Sequence, residues 1–262
     1  KNPLFKYIYR FFKKKEIEFI DKSEAIVSLT KAAKKEILGW KNIQIEPNKI
    51  TVIPCCVDTV LFDPGKVTAD QQQEVRQKLN ISKETSILGY LGSIGTWYML
   101  DEMLQFFNSL KKTIPGAKFL FVTEDNPESI IEKARHFGIN AGDIIITKAE
   151  RRDVPLMISL FNYGIFFIKP AYSKIASSPT KQGEIMAMGV PVICNSGVGD
   201  SDHIVRAYSS GFVASIGDYS DLIKEISTTI FDKQQIRNGA IDYFSLDKGS
   251  QQYLNVYNSI LG

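Results

Sequence analysis

Two spacings of apolar residues alternate along most of the chain. Short unbroken apolar runs predict buried strands at Ser86–Leu91, Lys118–Val122, Asp143–Thr147, Gly164–Ile168 and Pro191–Cys194. Between and after them, apolar residues recur every three or four positions. That spacing predicts helices over Gln71–Leu79, Tyr98–Lys111, Pro127–Phe137, Val154–Phe161, Tyr219–Thr229, Lys233–Phe244 and Gly249–Leu261. Lys49–Pro54, an apolar strand closed by proline, opens the series. Strands that alternate with helices of this length require crossover connections, which build a mostly parallel sheet covered on both faces. The expected fold is α/β, a doubly wound parallel sheet.

The first part of the chain has another texture. Leu4–Phe19 reads as an amphipathic helix with Phe5, Tyr7, Ile8, Phe11 and Phe12 set among Lys6, Arg10, Lys13, Lys14 and Lys15. A short buried strand follows at Ala25–Leu29 and a helix at Lys31–Leu38. One strand cannot make a sheet, so residues 1–48 are expected to complete a domain whose earlier part is absent. The chain opens inside the helix with no initiator Met, and we expect a fragment of a longer protein. Two readings of the basic helix stand: a domain helix with a solvated basic side, or a peripheral contact with anionic lipid headgroups.

The most informative stretch is Ser177-Ser178-Pro179-Thr180-Lys181-Gln182-Gly183-Glu184, running on into Ile185-Met186-Ala187-Met188-Gly189-Val190-Pro191-Val192-Ile193. It predicts a helix start with Ser178 as N-cap and Pro179 at the first helical position, then a short helix and a buried strand. Free backbone N–H groups and the positive end of the helix dipole make such a start an anion site. Lys181 adds a full charge, although a cation in the first turn opposes the dipole; a bound anion would resolve that conflict. Glu184 shares the face of Lys181 and offers a carboxylate to hydroxyl groups. An anion-binding helix end beside such a carboxylate is what a nucleoside diphosphate sugar requires.

Composition narrows the partners. The 262 residues are 44% hydrophobic and 23% charged, as in a soluble globular protein, with a net charge of +3. That balance and the lack of any binding motif argue against nucleic acid. The three cysteines, Cys55, Cys56 and Cys194, have no zinc or disulfide spacing, which suits a reducing, cytoplasmic compartment. Asp200-Ser201-Asp202-His203 has the spacing of a metal site on paper and reads instead as the cap of a following helix. No Ser-His-Asp set, Walker loop or zinc pattern occurs.

Four stretches, in order, resemble the C-terminal half of retaining glycosyltransferases of family 4, which have the GT-B fold. They are Ile50 to Asp58 with Phe62, Leu91-Gly92-Ser93-Ile94-Gly95-Thr96-Trp97-Tyr98, Lys181 to Ile193, and Phe244 to Tyr257. The resemblance covers nearly the whole chain from about Ser23. It implies the end of an acceptor domain over residues 1–48, a donor-binding domain over 49–246 and a closing helix over 247–262. It also implies transfer of a hexose from a nucleotide-diphosphate-sugar donor to a hydroxyl acceptor. That acceptor would be a saccharide or lipid-linked saccharide, in bacterial surface polysaccharide or glycoconjugate synthesis. No metal or other cofactor is expected, and the enzyme is placed in the cytoplasm or at the inner face of the membrane.

Residue by residue, Glu184 matches the second Glu of the family's Glu-x7-Glu motif, which holds the donor ribose. Lys181 is placed to neutralise the leaving diphosphate, with Ser178 and Thr180 beside it at the helix start. Gly92, Ser93, Gly95 and Thr96 match the loop whose amides approach the phosphates, and Thr147 and Lys148 the border of the nucleobase. Gly92 and Gly95 read equally well as turn residues between strand and helix. Two departures stand out. Ala176 replaces the first Glu of the motif, with Ser177 or Ser178 as substitutes, and the glycine loop lacks the arginine many relatives carry. These departures leave open a non-catalytic nucleotide-binding module or a GT-B nucleotide-sugar epimerase. No protein nucleophile is evident, so catalysis is expected to rest on positioning and stabilisation of the leaving group.

Overall fold

The computed structural model describes residues 3–262. Its first unit contains α1 (Pro3–Lys22), β1 (Ile26–Ser28), α2 (Lys31–Leu38) and β2 (Ile50–Val52). β1 and β2 pair in parallel as a two-stranded sheet, Ile26 opposite Ile50. The Lys49–Pro54 run therefore does not open the larger sheet, as the sequence had it; it completes the first one. Thr30 caps α2 by accepting from the Ala33 amide. α1 projects Phe5, Tyr7, Phe11 and Phe12 into solvent, and no helix among the described residues is long and apolar enough to cross a membrane.

The second unit is built from α3 (Ala69–Lys78), β3 (Ile87–Leu91), α4 (Leu100–Thr113), β4 (Lys118–Val122), α5 (Pro127–His136), β5 (Ile144–Thr147) and α6 (Val154–Ile158). It continues through β6 (Tyr163–Phe166), α7 (Thr180–Ala187), β7 (Val192–Asn195), α8 (Ser201–Ala207), β8 (Gly211–Ala214), α9 (Ser220–Thr228), α10 (Lys233–Phe244) and α11 (Leu246–Leu261). Six strands form one parallel sheet in the order β5-β4-β3-β6-β7-β8. The chain winds outward from β3 in one direction, then restarts at β6 on the other side. Right-handed crossovers place the two sets of helices on opposite faces. The switch point lies between β3 and β6, and ligands of such sheets bind beyond the strands' carboxyl ends there.

The sheet's core is aromatic: Phe106, Phe107, Phe119, Phe121, Phe166 and Phe167 are fully buried. β8 was not anticipated, because Gly211-Phe212-Val213-Ala214 is too short and too glycine-led to stand out from a turn. The chain leaves the first unit through Ile53–Val57, and this crossing is hydrogen-bonded to the α10–α11 junction around Ser245. Val57 N–H donates to the Phe244 carbonyl at 2.7 Å and Leu246 N–H to the Val57 carbonyl at 3.0 Å.

Candidate functional site

Helix α7 begins at the switch point, one residue later than the sequence predicts. Pro179 occupies the cap position and contributes no side-chain hydrogen bond. Ser178 is not the cap: its hydroxyl accepts from the Cys55 amide at 3.1 Å, tying the motif to the crossing between units. Every residue from Lys181 to Ala187 is buried. Gly183 makes that depth attainable. A Cβ there would lie 2.7 Å from Val57 Cγ2 and 2.8 Å from Phe244 Cγ, closer than packed carbons approach. The helix is thus held against the inter-unit crossing and α10, with its first-turn N–H groups uncapped by any side chain.

Lys181, only 9% exposed, is the central group of the site. Its ammonium lies 4.2 Å from the Tyr90 ring centroid and 3.7 Å from that of Tyr98. The two rings meet edge to face at 5.9 Å, and each offers the negative side of its π cloud to the charge. The ammonium also donates to the Tyr90 hydroxyl at 3.1 Å. That hydroxyl spends its own proton on the Ser93 carbonyl at 2.6 Å, leaving its oxygen as an acceptor. Burial brings the Lys181 pKa down to about 7, against partial support from Glu184 and Asp125. A depression of that size is a penalty of roughly 5 kcal/mol on the charged form. Burial raises Tyr90 and Tyr98, keeping both phenols neutral.

The glycine loop after β3 reaches the same point. Gly92 has φ +97°, and a Cβ on it would sit 3.5 Å from Lys181 Nζ. The loop is braced downstream, where Met99 N–H donates to the Phe167 carbonyl and Lys169 N–H to the Trp97 carbonyl, each at 2.9 Å. Its amides are partly engaged already. Gly92 donates to Val122 O at 2.9 Å, Gly95 to Ser93 Oγ at 3.3 Å, and Ile94 makes a short bond to the Asp125 carboxylate. Asp125 also accepts from the Ser93 hydroxyl at 3.2 Å and the Thr123 hydroxyl at 3.0 Å. Thr96 and Thr180 are exposed.

Glu184 is 5% exposed and is met by Arg151, whose Nη1 lies 2.5 Å from Oε1. The guanidinium rests over the Phe62 ring at 4.6 Å and is itself 56% exposed. Arg151 stands in the turn after β5, the same loop that holds Thr147 and Lys148. These two line a surface cavity of about 630 Å³ with Glu124, Glu150 and residues of α3 and α6. Lys148 pairs with Glu124 at 2.8 Å. Lys181 and Gly92 therefore lie side by side, and Ser93 joins them through the Tyr90 hydroxyl. Glu184 joins the Thr147–Lys148 loop through Arg151, and Ser178 faces away toward Cys55.

Tyr90, Tyr98, Asp125 and Arg151 were not read as site residues from the sequence. For Tyr90, Asp125 and Arg151 the available signal is position, in or shortly beyond the carboxyl end of β3, β4 or β5; Tyr98, at the end of the glycine-loop stretch, reads from the sequence as a core or loop anchor. Ala176 ends an exposed 3₁₀ turn, Tyr172–Ala176, whose Tyr172 hydroxyl meets Glu36 of α2 at 2.9 Å. Asp200 stands at the N-cap position of α8 but does not cap it. Its carboxylate accepts from the Lys31 and Ala32 amides at the start of α2, at 2.6 and 3.0 Å, and from the Tyr243 hydroxyl at 3.0 Å.

Residues 71–243 match the family described as glycosyl transferases group 1. No curated protein sequence matches the chain. Among solved structures, a glycosyltransferase from Rickettsia africae superposes with a TM-score of 0.75 at 19% identity, over 95% of this chain and 67% of its own. Anabaena HepE, solved with UDP and glucose, gives 0.72 at 15% identity, over 94% and 66%. Sucrose-phosphate synthase of Thermosynechococcus elongatus gives 0.66 at 16%, over 94% and 60%. Identities this low establish the shared fold. The chain spans about two thirds or less of the length of these structures.

Proposed function

The chain belongs to the glycosyl transferases group 1 family, and on that premise we propose that it is the nucleotide-sugar-binding part of a retaining glycosyltransferase. The observation that carries this reading is Lys181: a cation held at the sheet's switch point against two neutral phenol rings, beside an uncapped helix start and a glycine loop. A diphosphate placed there meets the ammonium and the α7 amides together. Glu184, one turn deeper on the same helix, then accepts from the ribose hydroxyls once Arg151 moves aside. Thr147 and Lys148 border the base. HepE, of the same fold, was solved with UDP and glucose, which supports a nucleotide donor here.

In the reaction the bond between the anomeric carbon and the diphosphate breaks, the acceptor hydroxyl oxygen forms the new bond on the same face, and its proton passes to the departing diphosphate. Negative charge grows on the departing diphosphate, where Lys181 and the helix amides stabilise it. The acceptor, a saccharide or lipid-linked saccharide, would be oriented by parts of the protein beyond this chain. Donor binding without transfer is therefore the expected behaviour of these residues alone. Titration calorimetry with a panel of nucleoside diphosphates and their sugars tests the assignment. Saturable binding of at least one, lost in Lys181→Ala, supports it; no binding by any defeats it.

A further inference from the structure

The glycine loop already carries an anion. Asp125 lies in the β4–α5 connection and is only half-buried, yet its carboxylate takes three donors: the Ile94 amide, the Ser93 hydroxyl and the Thr123 hydroxyl. Two of these belong to the loop that a donor phosphate would approach. Its charge also reaches Lys181. An anion with hydrogen bonds to a backbone amide and a hydroxyl, and electrostatic contact with a buried ammonium, satisfies the demands of a phosphate oxygen.

We propose that Asp125 is an internal stand-in for the donor phosphate, and that the donor binds by displacing it from the Ile94 amide and the Ser93 hydroxyl. The third partner makes displacement feasible. Thr123 lies on the same strand end as Asp125, its hydroxyl donates to the carboxylate, and the Asp125 amide donates back to that hydroxyl at 3.1 Å. Asp125 can therefore give up both loop contacts and keep a local hydrogen bond at the surface. Its own negative charge would repel a diphosphate that arrived without displacing it. Apparent affinity is then lowered by the fraction of molecules in which the loop is self-occupied. Selectivity is gained in return: a weak or singly charged anion lacks the charge to evict a carboxylate already in place.

The inference rests on the donor-site reading above, and one experiment separates their failures. Inorganic pyrophosphate and a nucleoside diphosphate panel are titrated calorimetrically into the native chain and Asp125→Asn. The neutral amide keeps the shape and an acceptor oxygen while removing the charge. On the order of tenfold tighter pyrophosphate binding is expected, with the same gain for any nucleotide that binds. Equal or weaker pyrophosphate binding in the variant makes Asp125 a brace for the loop and overturns the inference. A gain for pyrophosphate with no nucleotide bound by either protein keeps the inference and defeats the donor reading. No binding of any probe by either protein overturns both. Asp125→Ala, screened alongside by thermal unfolding, replaces the first variant if that one lacks a cooperative transition.

Discussion

Lys181 and Glu184 stand three residues apart on one short helix and are buried to nearly the same depth, yet the fold treats their charges in opposite ways. Among the described residues the lysine has no carboxylate in hydrogen-bond contact; two phenol rings and one neutral hydroxyl receive it. The glutamate has a full ion pair with an arginine that is itself mostly in solvent. A buried charge without an ionic partner is costly and stays responsive to any anion that arrives. A buried charge paired to a long, exposed side chain is satisfied now, and that partner can be exchanged where other donors take its place. The phosphate half of the site is thus poised, and the ribose half is temporarily filled.

The contrast is broken most severely at Lys181. Lys181→Met should reduce nucleoside diphosphate affinity at least about a hundredfold while raising stability by roughly 1–4 kcal/mol, as apolar replacements of buried charge do. The size of that gain depends on pH. Burial holds the Lys181 pKa near 7, below its unfolded value of 10.5. The penalty on the native protein is therefore full below about pH 7 and fades as pH rises toward 10.5. Denaturant midpoints at pH 6 and pH 10 should show the variant's advantage shrinking. An advantage that does not change with pH would contradict the assigned environment.

Glu184→Gln should cost roughly ten- to a hundredfold in nucleoside diphosphate affinity, the worth of hydrogen bonds to a charged acceptor, and leave pyrophosphate binding unchanged. Equal losses for both ligands would merge the two halves. A milder effect separates them by pH. Diphosphate binding needs charged Lys181, so affinity should fall by up to about tenfold per pH unit above 7, with proton uptake on binding. The charged groups facing that ammonium are Glu184 and Asp125, beside the phenols of Tyr90 and Tyr98. Lys181→Arg, which stays charged, should flatten the profile measured by calorimetry in buffers of different ionisation enthalpy. The smallest change in affinity belongs to Arg151→Ala: nucleotide binding within about threefold of native, but a stability loss of roughly 3–5 kcal/mol in urea titrations, because Glu184 is left buried without its ionic partner.

What could be read beforehand follows the same division. The alternation of strands and helices through β7 was legible because apolar runs and helical periodicity are local, and it implied a mostly parallel sheet; the order of the strands within that sheet was not legible. Lys181, Glu184 and the Gly92 loop were legible because they lie in contiguous motifs. Asp125 and Arg151 were not, since each acts on a residue distant in sequence, Arg151 reaching Glu184 thirty-three positions away. Ser178 and the Asp200–His203 segment read locally as helix caps, but Ser178 takes an amide of the inter-unit crossing and Asp200 takes two amides of the first unit. Local propensity cannot register a partner amide that arrives from elsewhere in the chain. The pairing of β2 with β1 escaped for the same reason: an apolar strand carries no mark of which sheet will receive it.

The hydrogen-bonded crossing at Val57 has a mechanical consequence. A connector pinned through both its backbone N–H and its carbonyl to the α10–α11 junction acts as a fixed rail. Because Ser178 also bonds Cys55 on that rail, and Asp200 holds the Lys31 and Ala32 amides of α2, a load on the first unit would be transmitted to the start of α7, and with it to the height of Lys181 above the switch point.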